Sequence, residues 1–294
     1  MAINRYLELT DRALIRIAGD DARRFLQDLI SNDIEKLGPT MAIHAALLTP
    51  QGKYLHDFFV FERAAAIYFD CEAKRRDDLI RRLKRYRLRA KIDIEEYDTL
   101  NLFALIGDYV HAMTSPLADG IVYVDPRLSE LGARAALPDG GTAALEAQSF
   151  EPMFRDDYER LRIGQGVPDG SRDLVVDKAL LLESGFEELA GVDFEKGCYI
   201  GQEVTARMKH RGLVRKRLLP VEIDGPAPVP GTVVLRGETA VGEMRSSIKG
   251  QGLALLRLED VERATAGEVP LLAGDARIHP HMPDWMRISA RAQP

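Results

Sequence analysis

Residues 195–212 read E-K-G-C-Y-I-G-Q-E-V-T-A-R-M-K-H-R-G and hold Cys198, one of two cysteines in the 294-residue chain. A cysteine works as its thiolate, either as nucleophile or as metal ligand. Lys196 sets a full positive charge two residues upstream, and Gly201-Gln202 opens a predicted helix whose N-terminus carries partial positive charge. Both favour the thiolate. Gly197 and Gly201 permit tight or positive-φ turns and the close approach of another group. On the helix, Glu203 and Arg207 fall at i,i+4 and can pair. The same residues also suit a cysteine packed under a loop, and the two readings stand side by side here. Cys71 and Cys198 are too few for a self-contained iron–sulfur cage, which takes about four thiolates. One thiol with scattered histidines is no zinc site either. His279 and His281, in I-H-P-H-M-P-D-W-M, read as a surface tail, so no metal site is expected.

Other residues could also do chemistry. Asp57 shares a strand face with Leu55, Phe59 and Phe61. A carboxylate there is desolvated and its pKa rises unless it is paired; a cross-strand polar pair is the plainer alternative. The stretch from Lys74 to Lys91, KRRDDLIRRLKRYRLRAK, has ten basic residues and two acidic ones. It is either a solvated helix face or a site for an anionic ligand or partner, with Arg87 and Arg89 at its end. Asn32 and Asp33 either serve a site or simply cap and turn the chain.

These residues need elements to hold them. In A-L-I-R-I, Ala13, Ile15 and Ile17 alternate as a strand does. Asp20 and Asp21 offer N-caps for a helix bearing Phe25, Leu26, Leu29 and Ile30, which Ser31-Asn32-Asp33 breaks. A-I-H-A-A-L-L and K-Y-L-H-D-F-F-V-F, joined by Thr49-Pro50-Gln51-Gly52, read as a hairpin. Another strand, the basic amphipathic helix and four short strands follow, which suggests an α+β unit. Helices are predicted over about 153–162, 178–188 and 201–210, and residues 216–278 read as a small β-barrel.

The length implies two or three domains. Hydrophobic content of 46% and charged content of 29% are ordinary for a soluble protein, and the net charge of −6 argues against a general nucleic-acid coat. No apolar run approaches the ~18–20 residues that span a bilayer, so no membrane partner is expected. Two cysteines and no visible secretory signal suggest a reducing, cytoplasmic setting.

The string K-G-C-Y-I-G-Q-E, followed by Ala206-Arg207 and His210-Arg211-Gly212, resembles the signature of the YgfZ family, folate-binding proteins related to the glycine-cleavage T-protein, an aminomethyltransferase. GDDARRFLQDLISND, ALLTPQGKYLHDF, RYRLRAKIDI, YERLRIGQGVPDG and LLLESGFEEL resemble further family segments in order, with the last ~80 residues the weakest part. The resemblance implies a three-domain, cloverleaf-like α+β fold with a C-terminal β-barrel. Its first domain would be 1–49 plus 145–212, its second, ferredoxin-like, 50–144, and its third the barrel, 213–294. It implies tetrahydrofolate or a derivative as ligand. Glu183 would read the pterin, with Asp57 and Asn32 as further contacts and Arg87 and Arg89 near the glutamate tail. The family departs here in two places: the T-protein's paired Asp-Asp is His56-Asp57, and its usual Pro-x-Glu is Leu181-Leu182-Glu183.

The function implied is a folate-dependent accessory factor for iron–sulfur proteins, as in the family's mitochondrial relatives. Cys198 would work with Lys196, Glu203 and Arg207, and clients or assembly proteins would be partners, including radical enzymes that modify tRNA. An aminomethyl or one-carbon transferase, and an RNA-binding module using residues 74–91, are the alternatives.

Overall fold

The structure is a computed structural model describing residues 3–108, 110, 117, 119–212, 214–267 and 269–287. The outermost residues of the expected first and third domains lie outside that set. The chain folds as two compact units.

The first unit comprises Met1–Leu48, Leu55–Arg155 and Leu189–Ile200. In chain order its elements are β1 (Arg5–Glu8), β2 (Arg12–Ala18), α1 (Ala22–Gln27), β3 (Ile43–Leu48), β4 (Tyr54–Arg63), β5 (Ala66–Glu72), α2 (Arg76–Tyr86), β6 (Asp93–Tyr97), β7 (Asn101–Ile106), β8 (Ile121–Val124), β9 (Ala133–Leu137), α3 (Gly141–Ala147) and β10 (Glu151–Pro152). One sheet has the order β3-β4-β5-β2-β6 and the other β10-β1-β7-β9-β8.

The alternation in β2 sends Ile15 and Ile17 into a core with Leu26 of α1 and Leu79 and Leu83 of α2. The second sheet buries Tyr6, Phe103, Leu105 and Leu137 with Leu145 of α3. Between the sheets lies charge. Asp70 of β5 is fully buried and accepts from Arg12 Nε at 2.6 Å and from Arg134 Nη2, on β9, at 2.7 Å. The Arg134 and Arg127 guanidiniums sit 4.0 and 4.7 Å from the Phe59 ring centroid. The β4 face that reads as apolar in sequence is therefore lined by arginines, because residues 12, 127 and 134 come to it from other elements.

The predicted first helix is shorter than its apolar stripe. It ends at Gln27, and Ile30 leaves it to bridge Leu47 of β3. Asp21 stands at its N-cap position without a side-chain cap bond; its Oδ2 accepts from Lys91 N at 2.7 Å instead.

The second unit comprises Thr49–Tyr54, Asp156–Glu188 and Gly201–Pro294. It holds most of α4 (Arg155–Gly164), the short α5 (Gly170–Asp173) and α6 (Gln202–His210). The predicted helix over 178–188 is a single 3-10 turn, Leu181–Ser184, ended by Gly185 at φ 78°. Its sheet is a closed barrel of β11 (Lys216–Asp224), β12 (Val233–Arg236), β13 (Thr239–Ile248), β14 (Gln251–Arg257), β15 (Leu271–Ala273) and β16 (Ala276–Pro280), in the order β11-β14-β13-β12-β15-β16, with α7 (Leu258–Thr265) after β14. Closure removes the exposed edges of a small sheet. The supposed histidine tail begins as β16, where His279 pairs in register with Glu222.

The Thr49-Pro50-Gln51-Gly52 turn joins β3 to β4 as its chemistry predicts, with Gly52 N donating to Thr49 O at 2.9 Å. Gly52 has φ 72°, and a Cβ there would meet Val204 Cβ of α6 at 2.8 Å. Turn conformation and close packing both require glycine at this position.

Candidate functional site

Cys198 lies on the loop between Leu189 and Ile200, and its side chain is exposed and unbonded to sulfur. The segment 27–36, which follows α1, holds this loop. Ser31 Oγ donates to Gly191 O at 2.6 Å, and Ser31 O accepts from Asp193 N at 2.9 Å. Lys36 pairs with Asp193 at 2.6 Å, and Asp28 O accepts from Ile200 N at 3.2 Å. Gly197 has φ 94°, and no atom lies within 4 Å of where its Cβ would stand, so the thiol sits on an open tip.

Lys196 behaves differently from its expected role as a charge beside the thiol. Its Nζ donates to Gln27 O and Ile30 O, each at 2.6 Å, and lies 5.1 Å from the Tyr199 ring centroid. Burial lowers its pKa to about 8, against the opposing pull of Asp33, Asp193 and Asp28. The ammonium is committed to main-chain carbonyls.

Asn32 is buried, and its amide is engaged with the same loop. Nδ2 donates to Ala190 O at 2.7 Å and to His44 O at 2.8 Å, while Oδ1 accepts from Asp33 N at 2.8 Å. Asn32 thus ties the loop to β3, while the cap is Asp33, whose Oδ1 accepts from Glu35 N at 3.1 Å. Asp57 is buried too, with Oδ2 3.2 Å from His44 Nε2 across β3 and β4. Burial lowers the His44 pKa, so the imidazole is neutral and donates to the carboxylate. Of the two readings open for Asp57, the geometry shows the cross-strand polar pair. Neighbouring His56 bonds Asp78 of α2 at 2.9 Å and anchors that helix.

Glu183, Glu203 and Arg207 belong to the second unit. Glu183 is half-buried in the 3-10 turn, and among the described residues it has neither hydrogen bond nor ion pair. Burial raises its pKa, while Lys216 and Lys53 pull the other way. Glu203 and Arg207 are both carried on α6, and the predicted i,i+4 pair is not formed among the described residues. Two long, solvated side chains gain too little from pairing to offset their lost freedom. A cavity of about 180 Å³ in this unit is lined by Leu182, Met208, Leu258, Arg217, Glu188 and others, with Arg217 and Glu188 paired at 2.7 Å.

On α2, Arg76 pairs with Glu96 and Asp98, and Arg81 and Arg82 pair with Asp78. Lys74, Lys84, Arg85, Arg87, Arg89 and Lys91 are without ion pairs among the described residues. Thus the first unit brings Cys198, Lys196 and Asn32 together, and Asn32 reaches the Asp57 partner His44. Arg87 and Arg89 stand apart at the end of α2. The carbonyls of Gln27 and Ile30, and Ser31 and His44, went unread in sequence, because main-chain acceptors carry no residue signature.

Across nearly the whole chain, two curated proteins from mouse and human match. The one from Mus musculus is 33% identical, over 96% of this chain and 86% of its own length, and is named "Iron-sulfur cluster assembly factor IBA57, mitochondrial". This chain belongs to the IBA57 family. The Homo sapiens member of the same name is also 33% identical, over 94% of this chain and 84% of its own. Residues 215–288 match the model of the CAF17 C-terminal beta-barrel domain, which agrees with the closed barrel of this family member. The crystal structure of aminomethyltransferase T of the glycine cleavage system from Bartonella henselae superposes with a TM-score of 0.75, at 16% identity, over 98% of this chain and 87% of that one. The α+β, T-protein-like fold implied by the motifs is therefore the fold found. The family found is IBA57, which is related to the YgfZ family that the motifs resemble. The cytoplasmic expectation is overturned, since the mouse, human and Pyricularia oryzae members of the family are named mitochondrial. Free cysteines report on redox conditions and do not distinguish one reducing compartment from another. Among the described residues no helix is long and apolar enough to cross a membrane.

Proposed function

We propose that this chain is an accessory factor for the assembly or repair of iron–sulfur clusters, with Cys198 as its working thiol. The observation that carries the reading is the exposed Cys198 on a loop fastened by residues 27–36, in a chain related throughout to iron–sulfur cluster assembly factors. A single open thiol suits transient contact with a cluster or a partner's sulfur, since it cannot hold a cluster alone. Clusters are its cargo, and its clients include radical enzymes that modify tRNA.

Tetrahydrofolate or a derivative is the proposed ligand, supplying a one-carbon carrier when bound. Glu183 fits it: a half-buried carboxylate with its acceptors unspent suits the paired N–H donors of a 2-amino-4-oxo ring. Asn32 and Asp57 fit less well, because their polar atoms already serve the protein. Arg87 and Arg89 retain free guanidiniums for a glutamate tail.

The test replaces Cys198 with Ala in cells lacking the native protein and assays cluster-dependent enzymes. We expect their activities to fall to a third or less of the wild-type rescue; full rescue by C198A sinks the thiol's role. The T-protein-like fold favours a second reading, an aminomethyl or one-carbon transferase. Turnover of methylamine donors above background with purified protein and tetrahydrofolate supports it. The unpaired cations of α2 favour RNA binding, which predicts steeply salt-dependent affinity without regard to folate.

A further inference from the structure

In the tetrapeptide Lys196-Gly197-Cys198-Tyr199, the outer two residues face inward and the middle two face out. Tyr199 is 7% exposed, whereas Cys198 is exposed and Gly197 stands beside open space. The two inward side chains meet, with the Lys196 ammonium over the Tyr199 ring. Such a cation–ring contact strengthens where water is excluded. On its other side, the ammonium donates to Gln27 O and Ile30 O.

One acceptor, Gln27 O, belongs to the last residue of α1, and the other, Ile30 O, lies three residues beyond it, where the chain bridges to β3. A helix leaves its last carbonyls without intrahelical partners, and a cation there is favoured by both hydrogen bonding and the local dipoles. Here α1 ends at Gln27 and the chain turns off toward β3. Gln27 completes the tie from the other direction, with Nε2 donating to Lys196 O at 3.2 Å and to Asp33 Oδ1 at 2.9 Å. Further anchors of the loop lie at residues 190–193 and at Ile200, on either side of the tetrapeptide.

We propose that Lys196 is a positioning residue: it staples the loop to the end of α1 through main-chain carbonyls and holds Gly197–Cys198 outward for a partner. This rests on Cys198 being the working thiol. It assigns Lys196 a mechanical task in place of the electrostatic activation of sulfur that its spacing suggests.

The test uses the full-length protein and four variants: Lys196→Met, Lys196→Arg, Tyr199→Leu and Cys198→Ala. Hydrogen–deuterium exchange is followed on residues 193–201 and, as a reference, on the barrel strand Gln251–Arg257. Lys196→Met is expected to speed exchange at the Ile200 amide at least tenfold and leave the barrel unchanged. It should cut rescue of cluster enzymes to a third or less. Alkylation of Cys198 by iodoacetamide at pH 7 should change less than threefold, since the thiol is already open. Lys196→Arg, which keeps the charge and the donors, should hold exchange within threefold of wild type and retain at least half the rescue. Tyr199→Leu should give exchange between these two. Unchanged exchange in Lys196→Met, or alkylation slowed tenfold with exchange unchanged, overturns the proposal. If Lys196→Met does not fold, failure of Lys196→Arg to rescue while exchanging like wild type overturns it equally. Full rescue by Cys198→Ala alongside the expected exchange pattern sinks the thiol's function and leaves the staple standing.

Discussion

Two cysteines occupy opposite environments in one chain. Cys198 is exposed, while Cys71 is buried on β5 beside β2 and its thiol is pushed up to about 12 by desolvation. Only the thiolate reacts. Native protein treated with a thiol reagent at pH 7.5 should therefore label one site, Cys198, and denatured protein two; native labelling of Cys71 contradicts the burial. His56 carries the clearest pH signature. Burial, with help from Arg75 and Arg82, lowers its pKa to about 4, against the pull of Asp78. The unfolded imidazole takes up its proton near pH 6.5 and the folded one near 4, so stability falls as pH drops through that window. The size is on the order of 3 kcal/mol at most. His56→Asn should flatten urea midpoints between pH 6.5 and 4; a slope equal to wild type would assign the acid sensitivity elsewhere.

At the scale of elements, the first unit joins its two sheets through ions as well as apolar packing. Asp70 on β5 pairs with both Arg12 on β2 and Arg134 on β9, all three buried or nearly so. Breaking one partner of such a group strands charge in a dry setting, at a cost of about 3–5 kcal/mol. Asp70→Asn should lower the urea midpoint accordingly, and an unchanged midpoint would falsify this role. The elements around Cys198 follow a related logic. A six-residue helix, α1, ends early, and the carbonyl of its last residue, Gln27, together with that of Ile30 just beyond it, becomes the anchor for a loop more than 160 residues away in sequence. The hairpin turn at Thr49–Gly52 was legible because Pro and Gly act locally. The end of α1 was not, because the apolar stripe runs on through Leu29 and Ile30, whereas the chain leaves the helix at Gln27 and Ile30 bridges Leu47 of β3.

At the scale of the molecule, the proposed folate site and stability meet in Glu183. A desolvated, unpaired carboxylate costs the fold something, so removing its charge should not destabilise the chain. Glu183→Gln should leave the melting temperature unchanged or higher, while weakening tetrahydrofolate binding at least tenfold by calorimetry. A ligand that binds only the folded chain adds about 2.7 kcal/mol at a hundredfold excess over Kd. Saturating tetrahydrofolate should accordingly raise the melting temperature of wild type more than that of Glu183→Gln. Equal shifts in both would remove Glu183 from the site.

The sequence by itself determined what depends on neighbours along the chain: the alternation of Ile15 and Ile17 in β2, the amphipathic helix α2, the turn before β4, the helix after Gly201 and the strand-rich barrel. The K-G-C-Y motif, too, is local, and pointed to Cys198 as an unusual thiol. The tertiary structure decided what depends on contacts distant in sequence. It made His44 the partner of Asp57, and Asn32 a tie for the thiol loop. It committed Lys196 to two carbonyls of the α1 end. Main-chain carbonyls look alike at every residue, so which of them meets a lysine is settled by the fold that brings them together.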